Sequence, residues 1–188
     1  PTRLPILIPC PMTQTPSSQR LHIGFYGRCN SGKSSLINAL TGQQVALVSS
    51  IAGTTTDPVN KPMELPDLGA VTLIDTPGLD DNTALGAERM RATRRVMDRT
   101  DIAVVLFTDS DDWSVELAVL EELRRREVAV VTVVAGCDQV EDTERIAARV
   151  EQTTKIIPVC TSALTGQGLE ELRRRLAACR VEEPRLLT

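Results

Sequence analysis

The segment GRCNSGKS at positions 27–34 constrains this chain more than any other stretch. It follows an apolar run at 21–26 and leads into the helix-like sequence SLINAL at 35–40. This is the phosphate-binding loop pattern G-x4-G-K-[ST] in the strand–loop–helix setting that it requires. Glycines let the backbone curl so that amides face an anion, and the helix N-terminus adds partial positive charge. The segment predicts nucleotide binding; the alternative is a glycine-rich turn that matches by chance.

The residue types in this loop suit separate tasks. Lys33 supplies a point charge for the outer phosphates and for the transition state, and we predict that it is catalytic. The Ser34 hydroxyl suits a magnesium ion. The nucleotide contacts predicted within the loop are Asn30, Ser31, Gly32, Lys33, Ser34 and Ser35.

A second signature, D-x-x-G at 75–78, ends the apolar run VTLID. Asp75 is predicted to hold magnesium through water, and the amide of Gly78 to meet the terminal phosphate. The segment GTTTD at 53–57 lies between the two signatures, and a threonine there can offer its hydroxyl to magnesium and its amide to the γ-phosphate. We predict Thr55 for this role, with Thr54 as the second choice. Thr55 and Gly78 join Lys33 as predicted catalytic groups, and this loop should order only with a triphosphate.

Composition sets further bounds. A length of 188 residues suits one domain, and 2% aromatic residues within 41% hydrophobic content predict an aliphatic core. The net charge of -4 argues against nucleic-acid binding by general electrostatics. No apolar run approaches the roughly 20 residues of a membrane span, so we expect a cytoplasmic protein without membrane contact.

The cysteines are scattered. The five of them form no C-x-x-C pair, and there is one histidine, so a metal cluster within this chain is not expected. We expect the cysteines to be small buried hydrophobes in a reducing compartment, except Cys29, which should be exposed in the phosphate loop.

Strand-like and helical patterns alternate along the chain. This alternation predicts a three-layer α/β sandwich, in which a mostly parallel six-stranded sheet carries helices on both faces. The predicted strands are 21–26, 59–65, 71–75, 102–107, 128–135 and 155–160, with 59–65 at an edge because of Pro62. Leucine and isoleucine stripes predict helices near 117–123, 146–150 and 169–176. Residues 1–19 read as a flexible lead-in, 20–180 as a GTP-binding domain and 181–188 as a linker to absent domains.

The signatures together resemble the translation-factor-like GTPases of the Era and tRNA-modification GTPase group. The resemblance covers roughly 20–180 and is carried by LHI at 21–23, GR at 27–28, NSGKSSLINALTGQ at 30–43, GTTTDPV at 53–59 and LIDT at 73–76 with Gly78. Within the group it is closest to the G domain of the FeFe-hydrogenase maturation GTPase HydF, on DPV at 57–59, Lys61 and MEL at 63–65.

The resemblance implies GTP and GDP as ligands, with magnesium organised by Ser34, Thr55 and Asp75. It also implies potassium as an activating ion with Asn30 as its ligand; the alternative is that Asn30 only hydrogen-bonds within the loop. In the HydF family a dimerisation domain and an iron–sulfur cluster domain follow the G domain. The implied partners are therefore further domains of the full-length chain, maturation or hydrogenase proteins and a second copy, with no iron–sulfur cluster in this fragment.

The chain departs from the family pattern at two places. AGCD at 135–138 replaces N-K-x-D, so Asp138 alone is left to read guanine, and we predict weak binding that still prefers guanine. Ser162 and Ala163, within CTSAL at 160–164, resemble the S-A-L/K turn that contacts the base. Leu79 stands where many GTPases place a glutamine that orients water, which predicts slow hydrolysis in isolation.

The leading interpretation is a switch-type GTPase domain of a hydrogenase maturation scaffold. One alternative is an RNA-modification or ribosome-assembly GTPase, which the acidic charge disfavours. Another is a nucleotide-binding interaction module that does not hydrolyse GTP.

Overall fold

The architecture is a six-stranded sheet with strand order β2-β3-β1-β4-β5-β6. The computed structural model describes residues 20–42, 58–79 and 84–181. The strands are β1 (Leu21–Tyr26), β2 (Val59–Leu65), β3 (Gly69–Asp75), β4 (Ile102–Phe107), β5 (Ala129–Ala135) and β6 (Val159–Thr161). The helices are α1 (Lys33–Thr41), α2 (Ala84–Met97), α3 (Ser114–Arg125), α4 (Thr143–Thr154) and α5 (Leu169–Val181).

The sheet is parallel except at one edge. Strand β1 pairs in parallel with β3 and β4, and β4, β5 and β6 continue in parallel. Strand β2 runs antiparallel to β3 and lies at the edge, where Pro62 faces Thr72 across the ladder. Proline lacks an amide donor and is tolerated on an edge strand, so the fold class and the edge position of β2 are confirmed.

Strand β4 shows why both faces of the sheet are covered. All six of its residues are buried, and they alternate between two separate hydrophobic clusters. One cluster takes Ile102, Val104 and Leu106, and the other takes Ala103, Val105 and Phe107. Because successive side chains of a strand point to opposite faces, a continuous apolar strand requires helices on both sides.

The predicted helical stripes pack against this sheet. Each helix turns a row of aliphatic residues inward at the spacing of three and four residues that a helix face requires. The buried members are Leu120 and Leu123 of α3, Ile146 and Val150 of α4, and Leu172 and Leu176 of α5. Within the described residues, no helix is both long and apolar enough to cross a membrane.

The predicted strand at 155–160 is wrong in its first half. Helix α4 continues to Thr154, and Lys155 closes it in the left-handed conformation at φ 63°, with its amide donating to Glu151 O at 2.8 Å. Strand β6 begins only at Val159, after Pro158. The isoleucines that suggested a strand lie in the connection instead, and Ile157 is 56% exposed.

Candidate nucleotide-binding site

The predicted site residues gather at one edge of the sheet. The loop after β1, the D-x-x-G segment after β3 and the turns after β5 and β6 all follow the carboxyl ends of parallel strands. In open parallel sheets, ligands bind in the crevice outside these ends. Thr54 and Thr55 lie outside the described residues.

The loop that precedes α1 has the backbone of an anion cradle. Asn30 and Gly32 both adopt left-handed conformations, at φ 58° and 90°. Gly32 is the N-cap of α1, and its carbonyl accepts the Leu36 amide at 2.8 Å. The cap therefore brings no side chain to the helix start, so the first amides face a space that an anionic oxygen can fill.

Lys33 is folded onto the phosphate loop. Its side chain is only 6% exposed, and its Nζ donates to Gly27 O at 3.0 Å, to Arg28 O at 2.6 Å and to Ser31 Oγ at 3.5 Å. These acceptors hold the ammonium group within the loop, where phosphate oxygens would meet it. The role predicted for Lys33 is consistent with this position.

Ser34 and Asp75 form the second part of the phosphate end. The Ser34 hydroxyl donates a short hydrogen bond to Asp75 Oδ2, while the buried Asp75 Oδ1 has no hydrogen-bond partner in the part of the chain that the structure describes. Burial raises the pKa of Asp75, against the lowering effects of the Ser34 hydrogen bond and of Lys33 and Lys61. A hydroxyl and a carboxylate with a spare oxygen are the hard ligands that magnesium prefers, so these residues fit the ion.

Gly78 lies directly against the phosphate loop. A Cβ built at this position would fall 2.7 Å from both Cα and N of Cys29. Two residues earlier, Thr76 Oγ1 donates to Phe25 O at 2.5 Å and fixes the start of the segment to β1. Only glycine permits this approach, which brings the predicted amide beside the loop.

An ion-pair network that sequence reasoning missed ties the loop to α3. Arg28 Nε donates to both carboxylate oxygens of Glu116, at 3.1 and 3.2 Å, and its Nη2 donates to Asp112 Oδ2 at 3.0 Å. Glu116 is 1% exposed, so the guanidinium neutralises a buried charge. The Ser114 amide and then Arg28 lower the pKa of Asp112 to about 2. More than 80 residues separate the partners, and no local pattern connects them.

The turn that carries Asp112 is held by an aromatic group. The Trp113 ring meets Phe107 edge-on at 5.2 Å, and its Nε1 donates to Thr108 O at 3.0 Å. The Arg149 guanidinium stacks over the same ring at 4.0 Å. This packing fixes the acceptor that faces Arg28.

The base end is a wide groove of about 1230 Å³ that continues from the phosphate loop. Of the predicted contacts, it brings together Asn30, Ser31, Gly32, Ser35, Asp138 and Ala163. Its walls also include Thr108, Asp109, Gln139, Val140, Thr161 and Leu164, which the sequence did not single out. Leu164 is 83% exposed, and the only sequence signal for it was its place in the CTSAL segment.

Ser162 has a side chain that faces inward, and its predicted contact with the nucleotide stays a prediction. Its side chain is fully buried, its Oγ accepts the Thr165 amide at 3.1 Å, and its own amide donates to Gln167 O at 3.0 Å. Ser162 therefore shapes the turn after β6, while its neighbour Ala163 lines the groove.

The expectation for the cysteines is wrong in detail. Among the described residues, Cys29, Cys137, Cys160 and Cys179 form no disulfide, and each is partly buried rather than fully buried or exposed. Cys29 loses exposure because Gly78 covers it, and the last three pack at the margins of the core clusters.

A phosphate loop with a buried lysine, a serine–aspartate pair that suits magnesium and an aspartate at the base end define a GTPase domain of the phosphate-loop class. The family model of the 50S ribosome-binding GTPases matches residues 22–136. The chain belongs to this family, and it is a GTP-binding GTPase domain.

Curated relatives of this chain include the tRNA modification GTPase MnmE of two bacteria. The chain is 36% identical over 160 residues to the tRNA modification GTPase MnmE of Xanthomonas oryzae pv. oryzae. The matched region covers 83% of this chain and 33% of that protein. It is 35% identical over 155 residues to MnmE of Legionella pneumophila, covering 82% of this chain and 33% of that protein. The chain thus spans about a third of the length of these relatives.

Solved structures show the same fold. Era in complex with MgGDPNP and a fragment of 16S ribosomal RNA superposes with a TM-score of 0.70 at 22% identity, covering 84% of this chain and 55% of that one. The G domain of the FeoB iron transporter of T. maritima gives a TM-score of 0.62 at 26% identity, covering 86% and 99%.

Proposed function

We propose that this chain is a magnesium-dependent switch domain that binds GTP and hydrolyses it slowly to GDP. The observation that carries the proposal is the Ser34–Asp75 pair, with its spare carboxylate oxygen, beside the buried ammonium group of Lys33. Magnesium, when bound, would supply positive charge against the outer phosphates.

The chain's own residues provide the remaining steps. Lys33 opposes the charge that develops on the transferred phosphoryl group, and the amide of Gly78 donates to it. Ser34 and Asp75 orient the cation, and Thr55 is the proposed third group from the segment at 53–57. The slow rate follows from Leu79, which packs in a core cluster at 8% exposure and has no polar atom with which to orient water.

Base recognition rests on fewer groups than phosphate binding does. Asp138 remains exposed in the groove, where its carboxylate can accept hydrogen bonds from the guanine ring and amino group. Ala135 and Gly136 offer no amide or long side chain for the base. We propose a preference for GTP over ATP that rests on Asp138, with Ala163 lining the same groove.

A monovalent cation is the proposed activator. Asn30 has a left-handed backbone within the phosphate loop and lines the groove. Its side-chain oxygen would ligate potassium next to the phosphates, and the bound ion would add positive charge there.

A phosphate-release assay tests the catalytic proposal and separates it from a module that only binds. We expect slow, magnesium-dependent release from GTP that is faster in potassium than in sodium at equal ionic strength. The Lys33→Ala variant is the control for contaminating phosphatase. Tight GTP binding with no release above that control, in either salt, would favour the interaction module.

For the biological role we propose the switch of an RNA-modification GTPase. The MnmE relatives support this alternative better than hydrogenase maturation, which rests on the sequence resemblance to HydF alone. A chimaera tests it: residues 20–181 replace the matching segment of the Legionella MnmE, and tRNA modification is measured in a strain that lacks the native gene. Restored modification that Lys33→Ala abolishes supports the role. A chimaera that hydrolyses GTP without restoring modification contradicts it.

A further inference from the structure

Two thiols meet where β5 and β6 end. Val134 of β5 is in register with Cys160 of β6, and just beyond, the Cys137 amide donates to Thr161 O at 3.0 Å. The Cys137 and Cys160 side chains pack against the same core cluster, and, after burial, the nearby Cys160 thiol contributes to the raised pKa of Cys137. The hydrogen bond to Thr161 O brings the backbone of Cys137 beside the end of β6 that carries Cys160, and a disulfide joins residues whose Cα atoms lie about 4.4–6.8 Å apart.

Both thiols are free and reachable. Each side chain is partly exposed, and neither takes part in a disulfide. The Cys137 thiol also donates to Val134 O at 3.3 Å. Burial raises the pKa of Cys137 to about 11, and burial likewise raises the pKa of Cys160. At neutral pH both thiols are therefore protonated. Because the thiolate is the nucleophile, their reaction with a disulfide is slow.

We propose that Cys137 and Cys160 form a reversible disulfide by exchange with a low-molecular-weight disulfide such as oxidised glutathione. The thiolate of one cysteine attacks a sulfur of the small disulfide, forms a mixed disulfide and releases one small thiolate. The second cysteine then attacks the protein sulfur of that mixed disulfide and releases the second small thiol. The two protein thiols are oxidised, the small disulfide is reduced to two thiols, and the two protons from the cysteines balance the two released thiolates.

The cross-link acts on the base end of the groove. Cys137 immediately precedes Asp138, and Cys160 lies three residues before Ala163. Forming the bond removes the hydrogen bond from Cys137 to Val134 O and draws the two turns together. Because Asp138 and Ala163 both line the groove, nucleotide affinity should fall about three- to tenfold on oxidation, the size expected from the loss of one neutral hydrogen bond.

The experiment treats the purified 188-residue chain with oxidised glutathione and then maps its peptides by mass spectrometry without reduction. We expect a peptide pair joined through Cys137 and Cys160, lighter than the separate peptides by two hydrogen atoms, and its loss after dithiothreitol. Cys137→Ser and Cys160→Ser should each abolish it, while Cys29→Ser and Cys179→Ser should keep it. Binding of a fluorescent GDP analogue should weaken on oxidation and recover on reduction in the chain with both cysteines.

Three results would overturn the proposal. The first is glutathione attached to single cysteines without the cross-link. The second is a cross-link that still forms in Cys137→Ser or in Cys160→Ser. The third is an unchanged thiol content after treatment with oxidised glutathione. A cross-link that leaves nucleotide affinity unchanged would refute its action on the base end.

Discussion

The phosphate end and the base end of the candidate site differ in how their charged side chains are held. At the phosphate end, Lys33 is held by three acceptors and Ser34 is hydrogen-bonded to Asp75. At the base end, Asp138 is exposed, and its neighbours Ala135 and Gly136 bring no hydrogen-bonding side chain. The charged groups that are held by described partners therefore lie at the phosphate end, and hydrogen bonds to charged groups contribute most to binding.

This contrast separates affinity from specificity. Every nucleoside triphosphate carries the same phosphates, so a complete phosphate end binds all of them, whereas discrimination requires hydrogen bonds to the base. The arginine network strengthens the contrast, because Arg28 ties the phosphate loop to the buried Glu116, whereas Asp138 is exposed.

The largest effect should come from Lys33→Ala. Removal of a buried ammonium group takes away charge-assisted contacts with the outer phosphates, and GTP and ATP affinity should both fall about 100-fold or more. Titration with fluorescent nucleotide analogues measures this. Lys155→Asn is the matched control, since asparagine tolerates the left-handed backbone at this distant position. An equal loss in the control would mean that any lysine change disturbs the fold.

Asp75→Asn should remove the magnesium dependence of binding. With magnesium present, we expect GTP affinity to fall about 10- to 100-fold, the loss that is typical when a residue supporting a metal's ligands is replaced. In EDTA we expect no change in affinity. Asp67→Asn, in the exposed turn before β3, is the control. Retained magnesium dependence in Asp75→Asn would place the ion elsewhere.

The same variant tests the electrostatics of the empty chain. A carboxyl whose pKa is raised in the folded state favours folding below its unfolded pKa, and this advantage is lost as the pH rises through the folded value. At neutral pH the ionised Asp75 therefore opposes folding. In EDTA at pH 7, Asp75→Asn should raise Tm, and the gain should shrink on acidification.

Asp138→Ala should act on the base alone. GTP affinity should fall about tenfold or more because a charged hydrogen-bond acceptor is lost, while ATP and inorganic tripolyphosphate should bind as before. Competition titrations with the three ligands give the ratio directly. If tripolyphosphate binding fell in parallel with GTP binding, the loss would lie in the fold of the groove and not in base recognition.

The smallest effect should come from repairing the base end. Ala135→Asn adds one amide and should raise GTP affinity about three- to tenfold without helping ATP. Gly136→Lys should gain less, because Gly136 sits at φ 74°, where a side chain costs about 1–2 kcal/mol. A larger gain from lysine than from asparagine would contradict this account of the strain.

Much of the fold could be predicted because its signals are local. The continuous apolar run of β4 and the proline in β2 each indicate a strand with a particular place in the sheet. The phosphate loop and D-x-x-G could be predicted for the same reason, since each is a short pattern at a strand end. The boundary of β6 was missed because isoleucines near Pro158 fit a strand or a connection equally well, and the cap at Lys155 decided between them.

The amino-acid sequence by itself determined that this chain has a phosphate loop, a D-x-x-G segment and, in place of N-K-x-D, a segment that keeps only the aspartate. Only the tertiary structure decided which distant side chains meet: Arg28 with Glu116, Gly78 with Cys29, and Cys137 with Cys160. The reason is physical. Motifs are set by neighbours along the chain, whereas these contacts depend on how the strands are ordered across the sheet, and that order follows from burying all the apolar faces at once.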